Sequence, residues 1–378
     1  MRLETPVPAD VLAAISAPFE DTAAEVLDAP LLQPLGLLLD LAGETLRERL
    51  FVVQGDGPEA CLRPDFTVPA VRAHIDSGRP AGRFFYSGHA FRVSPPGEAR
   101  AEEFRQLGLE AFENGDIAQA DAEMAALAWR ASAAGGRNDL TLLMGDVGLF
   151  SDVVAALSVA PPLAARLRRA FSTPRRLQAE LETVTGPAPT LDDGHGRLAA
   201  LLSGLSETAA TGVLEEIWAL AGVEPVGGRS AAEIVHRLAE RAALAAAPRL
   251  SPDQAAVIRR FLAIGGEPRA ALAEIGRLVD RPAPGLKQAI STWERRLEYL
   301  TSAGVPAERI RFSAAFGRSF GYYDGVVFEV RSAALGTGRP VAAGGRYDGL
   351  PGRLGAATAS GAVGCMVRPG RAWVGAEA

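Results

Sequence analysis

The stretch FRVSPPGEARAEEFRQLGLEAFE, residues 91–113, decides the fold of this 378-residue chain. Its short apolar runs alternate with Pro and Gly, a pattern that predicts strands and turns. A second stretch of the same texture, GRSFGYYDGVVFE, occupies residues 317–329 near the other end of the chain. The two stretches therefore predict one sheet that is completed by both ends of the sequence.

Between these stretches the texture of the sequence changes to helical. Segments such as SAAEIVHRLAERAALA and LKQAISTWERRLEYL place apolar residues at spacings of three and four, and Gly or Pro closes most of them. We expect an α+β fold, with a core formed by residues 1–149 and 301–378 and a helical insertion at residues 150–300.

Composition narrows the class of protein. Hydrophobic residues make up 48% of the chain and the net charge is −6, so a large core is expected and binding to nucleic acid has little electrostatic support. The sequence shows no apolar run of about 18 residues and no signal peptide at its start. We therefore expect no membrane segment and a cytoplasmic location.

Cysteines and histidines give no sign of a metal site. Cys61 and Cys365 are the only cysteines in the chain, and neither belongs to a paired motif. The four histidines lack the spacing that places two imidazoles on one face of a helix. We expect buried free thiols, no metal and no bound cofactor.

Five phrases, taken together and in order, resemble the catalytic core of histidyl-tRNA synthetases. This resemblance implies a class II aminoacyl-tRNA-synthetase-like antiparallel sheet with flanking helices and a helical insertion. It also implies a homodimer built on the N-terminal region, where VLDAPLL at residues 26–32 takes the place of motif 1. The phrases are LRPDFT at 62–67, the motif 2 region at 91–113, the stretch at 317–329, AGGRYDGL at 343–350, and AVGCMVRPGR at 362–371, which resembles motif 3.

The resemblance also implies a binding pocket for histidine. A free amino acid presents an ammonium and a carboxylate, and histidine adds an imidazole, so its pocket needs carboxylate acceptors, a cationic donor and flat aromatic walls. Residues of these types occupy the positions that match the pocket of the synthetases. They are Asp65, Thr67, Arg92, Gln106, Glu110, Arg318, Tyr322 and Tyr323.

Each of these positions implies a contact with the ligand. Asp65 and Thr67 face the ammonium, and Glu110 accepts from the imidazole N–H. Arg92 and Gln106 match positions near the carboxylate and the ammonium. The remaining positions are Tyr322 and Tyr323, which form the wall, and Arg318, which in the synthetases contacts the α-phosphate during activation of the amino acid.

The positions that bind ATP in the synthetases are mostly replaced. The motif 2 glutamate that receives the adenine amino group is Ser94, the next arginine is Pro95, and an arginine expected near the triphosphate is Glu102. A carboxylate beside polyphosphate is repulsive. In motif 3, Gly370 replaces the acidic residue. The sequence ends soon after motif 3, so we expect no anticodon-binding domain.

This division of retained and replaced residues is similar to that of the synthetase-like regulatory subunit of ATP phosphoribosyltransferase. That family implies a non-catalytic chain that binds L-histidine and acts on a short-form catalytic subunit in the first step of histidine biosynthesis. The expected assembly is a homodimer within a hetero-oligomer, commonly a hetero-octamer. Two alternatives remain: a freestanding ligase that forms histidyl-adenylate, and an interaction protein whose pocket is vestigial.

Overall fold

The computed structural model describes most of the chain. The described residues are 2–42, 44–55, 57–95, 97–98, 100–171, 173–186, 205–221, 231–232, 235, 248–278, 284–317, 321–357 and 360–377.

Strands and helices follow the order expected from the sequence texture, with strands near both ends of the chain. The strands are β1 (Glu25–Val26), β2 (Leu32–Pro34), β3 (Val52–Val53), β4 (Ala60–Leu62), β5 (Gly82–Phe91), β6 (Glu103–Phe112), β7 (Leu140–Asp146), β8 (Gly265–Gly266), β9 (Ile310–Ser313), β10 (Val326–Ser332), β11 (Ala342–Arg346) and β12 (Ala362–Val367). The α-helices are α1 (Ala9–Glu20), α2 (Leu35–Ala42), α3 (Thr67–Ser77), α4 (Ile117–Ala134), α5 (Val147–Ala156), α6 (Pro161–Phe171), α7 (Pro174–Thr185), α8 (Glu207–Ala221), α9 (Pro252–Ala263), α10 (Pro268–Gly276), α11 (Pro284–Ser302), α12 (Gly349–Arg353) and α13 (Pro369–Ala372).

A nine-stranded sheet organises the fold, in the order β1-β5-β6-β12-β11-β10-β7-β9-β8. Its central strands, from β5 to β7 in this order, are all paired antiparallel. Two pairs nearer the edges, β1 with β5 and β7 with β9, are parallel. The sheet joins strands from both ends of the sequence, which confirms the predicted α+β class and the synthetase-like antiparallel sheet.

The two faces of this sheet have different roles. Helix α4 packs on one face, against β11 and β12, and the strand residues pointing that way include the buried Leu107 and Leu109 of β6. Because side chains alternate along a strand, Gln106, Gly108 and Glu110 point to the opposite face. That opposite face carries the candidate site.

Contact density divides the chain into two compact units. One comprises Met1–Ser158, Arg168–Leu177 and Ala256–Ala378 and contains the large sheet; the other comprises Val159–Leu167 and Gln178–Ala255. The predicted insertion at 150–300 thus contributes residues to both units, and its boundaries stay a prediction.

Two further expectations from the sequence concern the cysteines and membrane-spanning segments. Cys61 and Cys365 are buried free thiols, as the sequence indicated, and burial raises the pKa of Cys61 to about 11. Within the described ranges, no helix is both long enough and apolar enough to span a bilayer.

Candidate functional site

A buried carboxylate, that of Glu110 on β6, lies at the centre of the candidate site. Glu110 is 2% exposed. Its Oε1 accepts hydrogen bonds from Thr67 Oγ1 at 2.9 Å and from the Tyr86 hydroxyl at 3.4 Å. Its Oε2 accepts one from the Tyr347 hydroxyl. Three hydroxyl groups from α3, β5 and the turn after β11 therefore replace the water that this carboxylate loses on folding.

Glycines in the neighbouring strands make room for this cluster. Gly364 of β12 pairs with Glu110, and a Cβ at position 364 would lie 1.6 Å from Glu110 Oε2. Gly108 pairs with Tyr86, and a Cβ there would lie 2.5 Å from the tyrosine hydroxyl. Any larger residue at either position would displace the groups that surround the carboxylate.

Burial changes the acidity of Glu110. Loss of water raises its pKa from 4.5 to about 7, against the hydrogen bonds from Tyr347 and Thr67, and the negative charge of Asp65 adds to the rise. The carboxyl group is thus poised to ionise near neutral pH, where a nearby cation or N–H donor would favour its charged form.

Glu110 keeps the capacity to bind a further donor. A carboxylate offers about four lone-pair positions, and three of them are used by Thr67, Tyr86 and Tyr347. Oε2 receives only the Tyr347 hydroxyl among the described residues. A ligand N–H that reaches Oε2 would complete the coordination of the carboxylate.

Three tyrosine rings form an aromatic wall beside Glu110. The ring centroids of Tyr322 and Tyr323 lie 4.7 Å apart, and that of Tyr347 lies 5.8 Å from Tyr322 and 6.2 Å from Tyr323. Tyr323 packs against Gly345 of β11, where an added Cβ would lie 3.0 Å from its ring. Flat rings on a glycine floor suit the face of a planar ligand group.

Charged and amide groups continue the site along β6 and the turn before α3. Asp65 is 5% exposed, and Arg92 NH2 lies 3.8 Å from its Oδ2. Arg92 Nε also donates to the backbone oxygen of Pro64 at 2.9 Å, which fixes the guanidinium beside Asp65. Gln106 is 1% exposed; its Nε2 donates to Tyr86, while its Oε1 accepts no hydrogen bond from the described residues.

The structure brings together seven of the eight residues that the sequence nominated. Thr67 contacts Glu110 directly, the two nominated tyrosines reach it through Tyr347, and Gln106 reaches it through Tyr86. The charge of Asp65 acts on Glu110 and on Tyr322. Arg318 lies outside the described residues. Binding of histidine by this group stays a prediction.

Sequence reasoning missed two residues of this cluster, Tyr86 and Tyr347. Both are buried and both donate to Glu110. Tyr347 lies within AGGRYDGL at 343–350, one of the five phrases that carry the resemblance. No feature of the sequence alone shows which tyrosine hydroxyl meets which carboxylate, because the strand pairing decides it.

The replaced positions of motif 2 lie beside this cluster. The Ser94 hydroxyl donates to the backbone oxygen of Glu98 at 2.7 Å. The Glu102 carboxylate accepts from the backbone N–H groups of Arg2 and Ser94, at 3.0 and 3.3 Å. It is absent from the residues that line the neighbouring cavity of Arg92, Ser94 and Arg371. The expected repulsion of polyphosphate by Glu102 stays a prediction.

Comparison with solved structures gives the class of fold. A solved structure from Bacillus halodurans, described as an ATP phosphoribosyltransferase regulatory subunit/histidyl-tRNA synthetase, matches 99% of this chain and 82% of its own, with a TM-score of 0.62 and 21% identity. A histidine–tRNA ligase subunit from Alicyclobacillus acidocaldarius matches 99% and 96%, with a TM-score of 0.59 and 21% identity. The fold is that of histidyl-tRNA synthetases.

Comparison of sequences is more specific. A family model described as histidyl-tRNA synthetase matches residues 10–219 and 207–369. A protein of Mesorhizobium japonicum named ATP phosphoribosyltransferase regulatory subunit is 38% identical, over 94% of this chain and 95% of its own length. A protein of the same name from Agrobacterium fabrum is 37% identical over 87% of each chain. The chain belongs to the histidyl-tRNA-synthetase-like family of ATP phosphoribosyltransferase regulatory subunits.

Proposed function

We propose that this chain is the non-catalytic regulatory subunit of an ATP phosphoribosyltransferase, that it binds L-histidine around Glu110, and that histidine thereby inhibits the complex. The observation that carries the proposal is the buried, hydroxyl-bound carboxylate with one acceptor position left, in a chain whose relatives bear the regulatory name. The partner is a short-form catalytic subunit, and the complex catalyses the first step of histidine biosynthesis in the cytoplasm.

The chemistry of the pocket supports histidine as the ligand. Glu110 offers an acceptor for an imidazole N–H, and the tyrosine rings offer a flat wall for the imidazole. Asp65 and the Gln106 oxygen offer acceptors for an ammonium, and Arg92 offers donors for a carboxylate. The pocket thus provides a group of the right kind for each polar part of the amino acid.

Motif 2 and motif 3 support the absence of catalysis. Ser94 has no carboxylate to receive an adenine amino group, and its hydroxyl is held by Glu98. At Gly370 the acidic residue of motif 3 is missing. The alternative, a freestanding histidine-activating ligase, rests on the retained Arg92 and Arg371 and on Arg318.

Inhibition requires that histidine bind two states of the complex with different free energy. A ligand shifts an equilibrium only by its differential affinity, and a tenfold shift needs about 1.4 kcal/mol. The hydroxyl groups on Glu110 come from three separate elements, so a ligand that binds Glu110 is linked through this carboxylate to α3, β5 and the turn after β11. A change in the spacing of these elements is the event that we propose the partner senses.

Apolar side chains near the N-terminus support a homodimer within the hetero-oligomer. Val26 is 80% exposed and Leu31 and Leu32 are each 52% exposed. These residues belong to the segment that takes the place of motif 1. Large exposed apolar residues in one segment mark a surface that a second protein covers. We propose that a second copy of the chain covers it, and that dimers combine with catalytic subunits into a hetero-octamer.

Calorimetric titration with histidine tests the ligand. Wild-type protein should bind histidine, and Glu110→Gln should weaken binding by about 1.5–3 kcal/mol, because a charge-assisted acceptor becomes a neutral amide. Glu103→Gln is the matched control on the same strand, outside the pocket, and should bind like wild type. If wild type and Glu110→Gln bind histidine with equal affinity, Glu110 does not contact the ligand. If wild type does not bind histidine, the chain is better described as an interaction protein whose pocket is vestigial.

Reconstitution tests the regulatory role. Mixing this chain with the short-form catalytic subunit should give phosphoribosyltransferase activity that histidine inhibits, and Glu110→Gln should shift that inhibition to higher histidine concentration. ATP–pyrophosphate exchange in the presence of histidine tests the ligase alternative. Exchange by the isolated chain would make it an enzyme and contradict the proposal.

A further inference from the structure

A buried arginine, Arg63, lies between the N-terminal segment and the candidate site. It is 7% exposed. Its Nε donates to the backbone oxygen of His89 at 2.7 Å, and its NH1 donates to the backbone oxygen of Ala29. Burial lowers the pKa of Arg63, and the charge of Asp28 offsets part of this effect. Among the described residues, no carboxylate lies within ion-pair distance of this guanidinium, so its burial is costly unless the side chain has a further role.

The backbone of Arg63 is held from both sides as well. Its N–H donates to the Leu31 oxygen at 2.8 Å, and its oxygen accepts from the Phe91 N–H at 3.0 Å. Together with the two side-chain bonds, these contacts tie Arg63 to the segment 26–32 and to the end of β5. The guanidinium group is therefore held in one orientation.

Two aromatic rings continue from this guanidinium towards the site. Arg63 Cζ lies 4.3 Å from the centroid of the Phe66 ring. The rings of Phe66 and Tyr86 are parallel to within 4°, and their centroids are 4.4 Å apart. Phe66 is 2% exposed and Tyr86 is fully buried. We call the Arg63 guanidinium and these two rings the Arg63 stack.

A glycine of β5 makes room for the Arg63 stack. A Cβ at Gly88 would lie 2.6 Å from Arg63 NH2 and 3.0 Å from Phe66 Cζ. Position 88 follows Tyr86 by two residues, so it lies on the same face of the strand. A larger residue at position 88 would displace the guanidinium or the Phe66 ring.

The Tyr86 hydroxyl lies among three partners, all at long distances. It is 3.4 Å from Glu110 Oε1, 3.4 Å from the Cys365 oxygen and 3.5 Å from Gln106 Nε2. Hydroxyl hydrogen bonds are usually about 2.5–3.0 Å long and weaken beyond that range. A small movement of the Tyr86 ring therefore decides whether its hydroxyl donates to Glu110.

We infer that Arg63 is a positioning residue for the Glu110 site: through Phe66 it holds the Tyr86 ring where the hydroxyl donates to the carboxylate. A planar guanidinium stacks on an aromatic face and donates in two directions at once, which a lysine ammonium does not reproduce. Arg63 acts on the site through the two rings. Its effect on histidine binding rests on the proposed function, whereas its effect on Tyr86 does not.

The pKa of Glu110 in the full chain, measured without histidine by carbon-13 NMR of the carboxyl group, tests this role. The hydrogen bond from Tyr86 lowers that pKa, so Tyr86→Phe should raise it above the wild-type value. Arg63→Lys keeps the charge and loses the stack, and it should also raise the pKa. The variant that combines both changes should match Tyr86→Phe alone, because both changes remove the same hydrogen bond.

Arg105→Lys is the matched control. Arg105 lies on β6 with its side chain on the opposite face of the sheet, where NH1 donates to Ser87 Oγ at 3.2 Å. This variant should leave the pKa of Glu110 at the wild-type value. Thermal unfolding shows whether each variant folds. If Arg63→Lys does not, Phe66→Leu takes its place, since it keeps an apolar side chain, removes the ring and should raise the same pKa.

Calorimetric titration with histidine extends the test to the proposed ligand. Arg63→Lys and Tyr86→Phe should each weaken histidine binding by about fivefold, which corresponds to the loss of one ordinary hydrogen bond. The combined variant should bind no more weakly than Tyr86→Phe. If wild type does not bind histidine, the proposed function fails, and the NMR comparison still decides the role of Arg63.

Two results would overturn the inference. One is a pKa of Glu110 that stays at the wild-type value in folded Arg63→Lys or folded Phe66→Leu. The other is a combined variant in which the rise in the pKa is the sum of the two single rises, since Arg63 would then act on Glu110 independently of Tyr86.

Discussion

At the scale of single residues, Glu110 shows how a site can keep a carboxylate in an apolar setting. Desolvation opposes its ionisation, and hydroxyl groups from Thr67, Tyr86 and Tyr347 offset part of that cost. The side chain is 2% exposed, so solvent screens these interactions little. These opposing effects bring the pKa of Glu110 to about 7. At neutral pH the carboxyl group is therefore about half ionised, and a ligand has most influence on its charge.

This balance predicts a pH dependence of stability. The folded-state pKa of Glu110, about 7, is higher than its ordinary value of 4.5, so the folded chain binds the proton more tightly than the unfolded chain. The resulting stabilisation is complete below pH 4.5 and is lost as pH rises through 7. Between pH 4.5 and pH 8, wild type should lose about 3 kcal/mol of unfolding free energy relative to Glu110→Gln, which has no proton to release.

Urea unfolding of both proteins across this pH range measures the difference. The other carboxylates are the same in the two proteins, so their contributions to the pH dependence cancel when the two unfolding free energies are subtracted. A wild-type minus Glu110→Gln difference that stays constant with pH would show that Glu110 titrates normally.

At the scale of elements, a buried ion cluster joins two helices to the sheet. Asp121 of α4 is fully buried, and its Oδ2 accepts from Arg296 of α11 at 3.0 and 2.6 Å. Its Oδ1 accepts from Arg346 Nε of β11 at 2.8 Å. Arg346 directly precedes Tyr347, which donates to Glu110. The cluster therefore fixes the strand end that supplies one hydroxyl of the candidate site.

Removal of the central charge should be strongly destabilising. Asp121→Asn leaves Arg296 and Arg346 buried with less compensation, and breaking a buried pair in this way costs about 3–5 kcal/mol. Denaturant unfolding at pH 7 measures the loss.

The neighbouring position on α11 provides the control. Arg295 makes an ion pair with Asp116, but its side chain is 49% exposed, so Arg295→Gln should cost less than about 1 kcal/mol. If Asp121→Asn and Arg295→Gln lose similar amounts of unfolding free energy, then the buried cluster contributes no more to stability than an exposed ion pair does.

At the scale of the whole molecule, the exposed apolar residues of the N-terminal region predict self-association. If a second copy covers Val26 and Leu31, the double change Val26→Asp and Leu31→Asp places charges in a desolvated interface and should shift the chain from dimer to monomer. Sedimentation velocity at micromolar concentration measures the change.

A control residue that is also highly exposed tests whether any exposed apolar side chain has the same effect. Leu220 of α8 is 89% exposed, and Leu220→Asp should leave the association state unchanged. A monomeric wild type, or a double variant that sediments as wild type does, would place the dimer interface elsewhere.

The sequence predicted much of this fold, because local patterns carry it. The alternation in LGLEAF determined that Glu110 lies on a strand, and the helical spacing in LKQAISTWERRLEYL determined α11. Resemblance supplied the residue types of the pocket, and seven of the nominated residues lie together in the structure. The secondary structure follows from the pattern of neighbouring residues, and the pocket residues follow from the order of the motifs along the chain.

The tertiary structure alone decided which groups meet. Pairing of Glu110 with Gly364, and of Tyr86 with Gly108, depends on the register between strands that are distant in sequence. The contacts of Tyr347 with Glu110, of Asp121 with two arginines, and of Glu4 with Arg368 are likewise invisible in the sequence. Their physical reason is the same: a hydrogen bond or ion pair depends on distances of a few ångströms, and only the assembled sheet brings these side chains within that range.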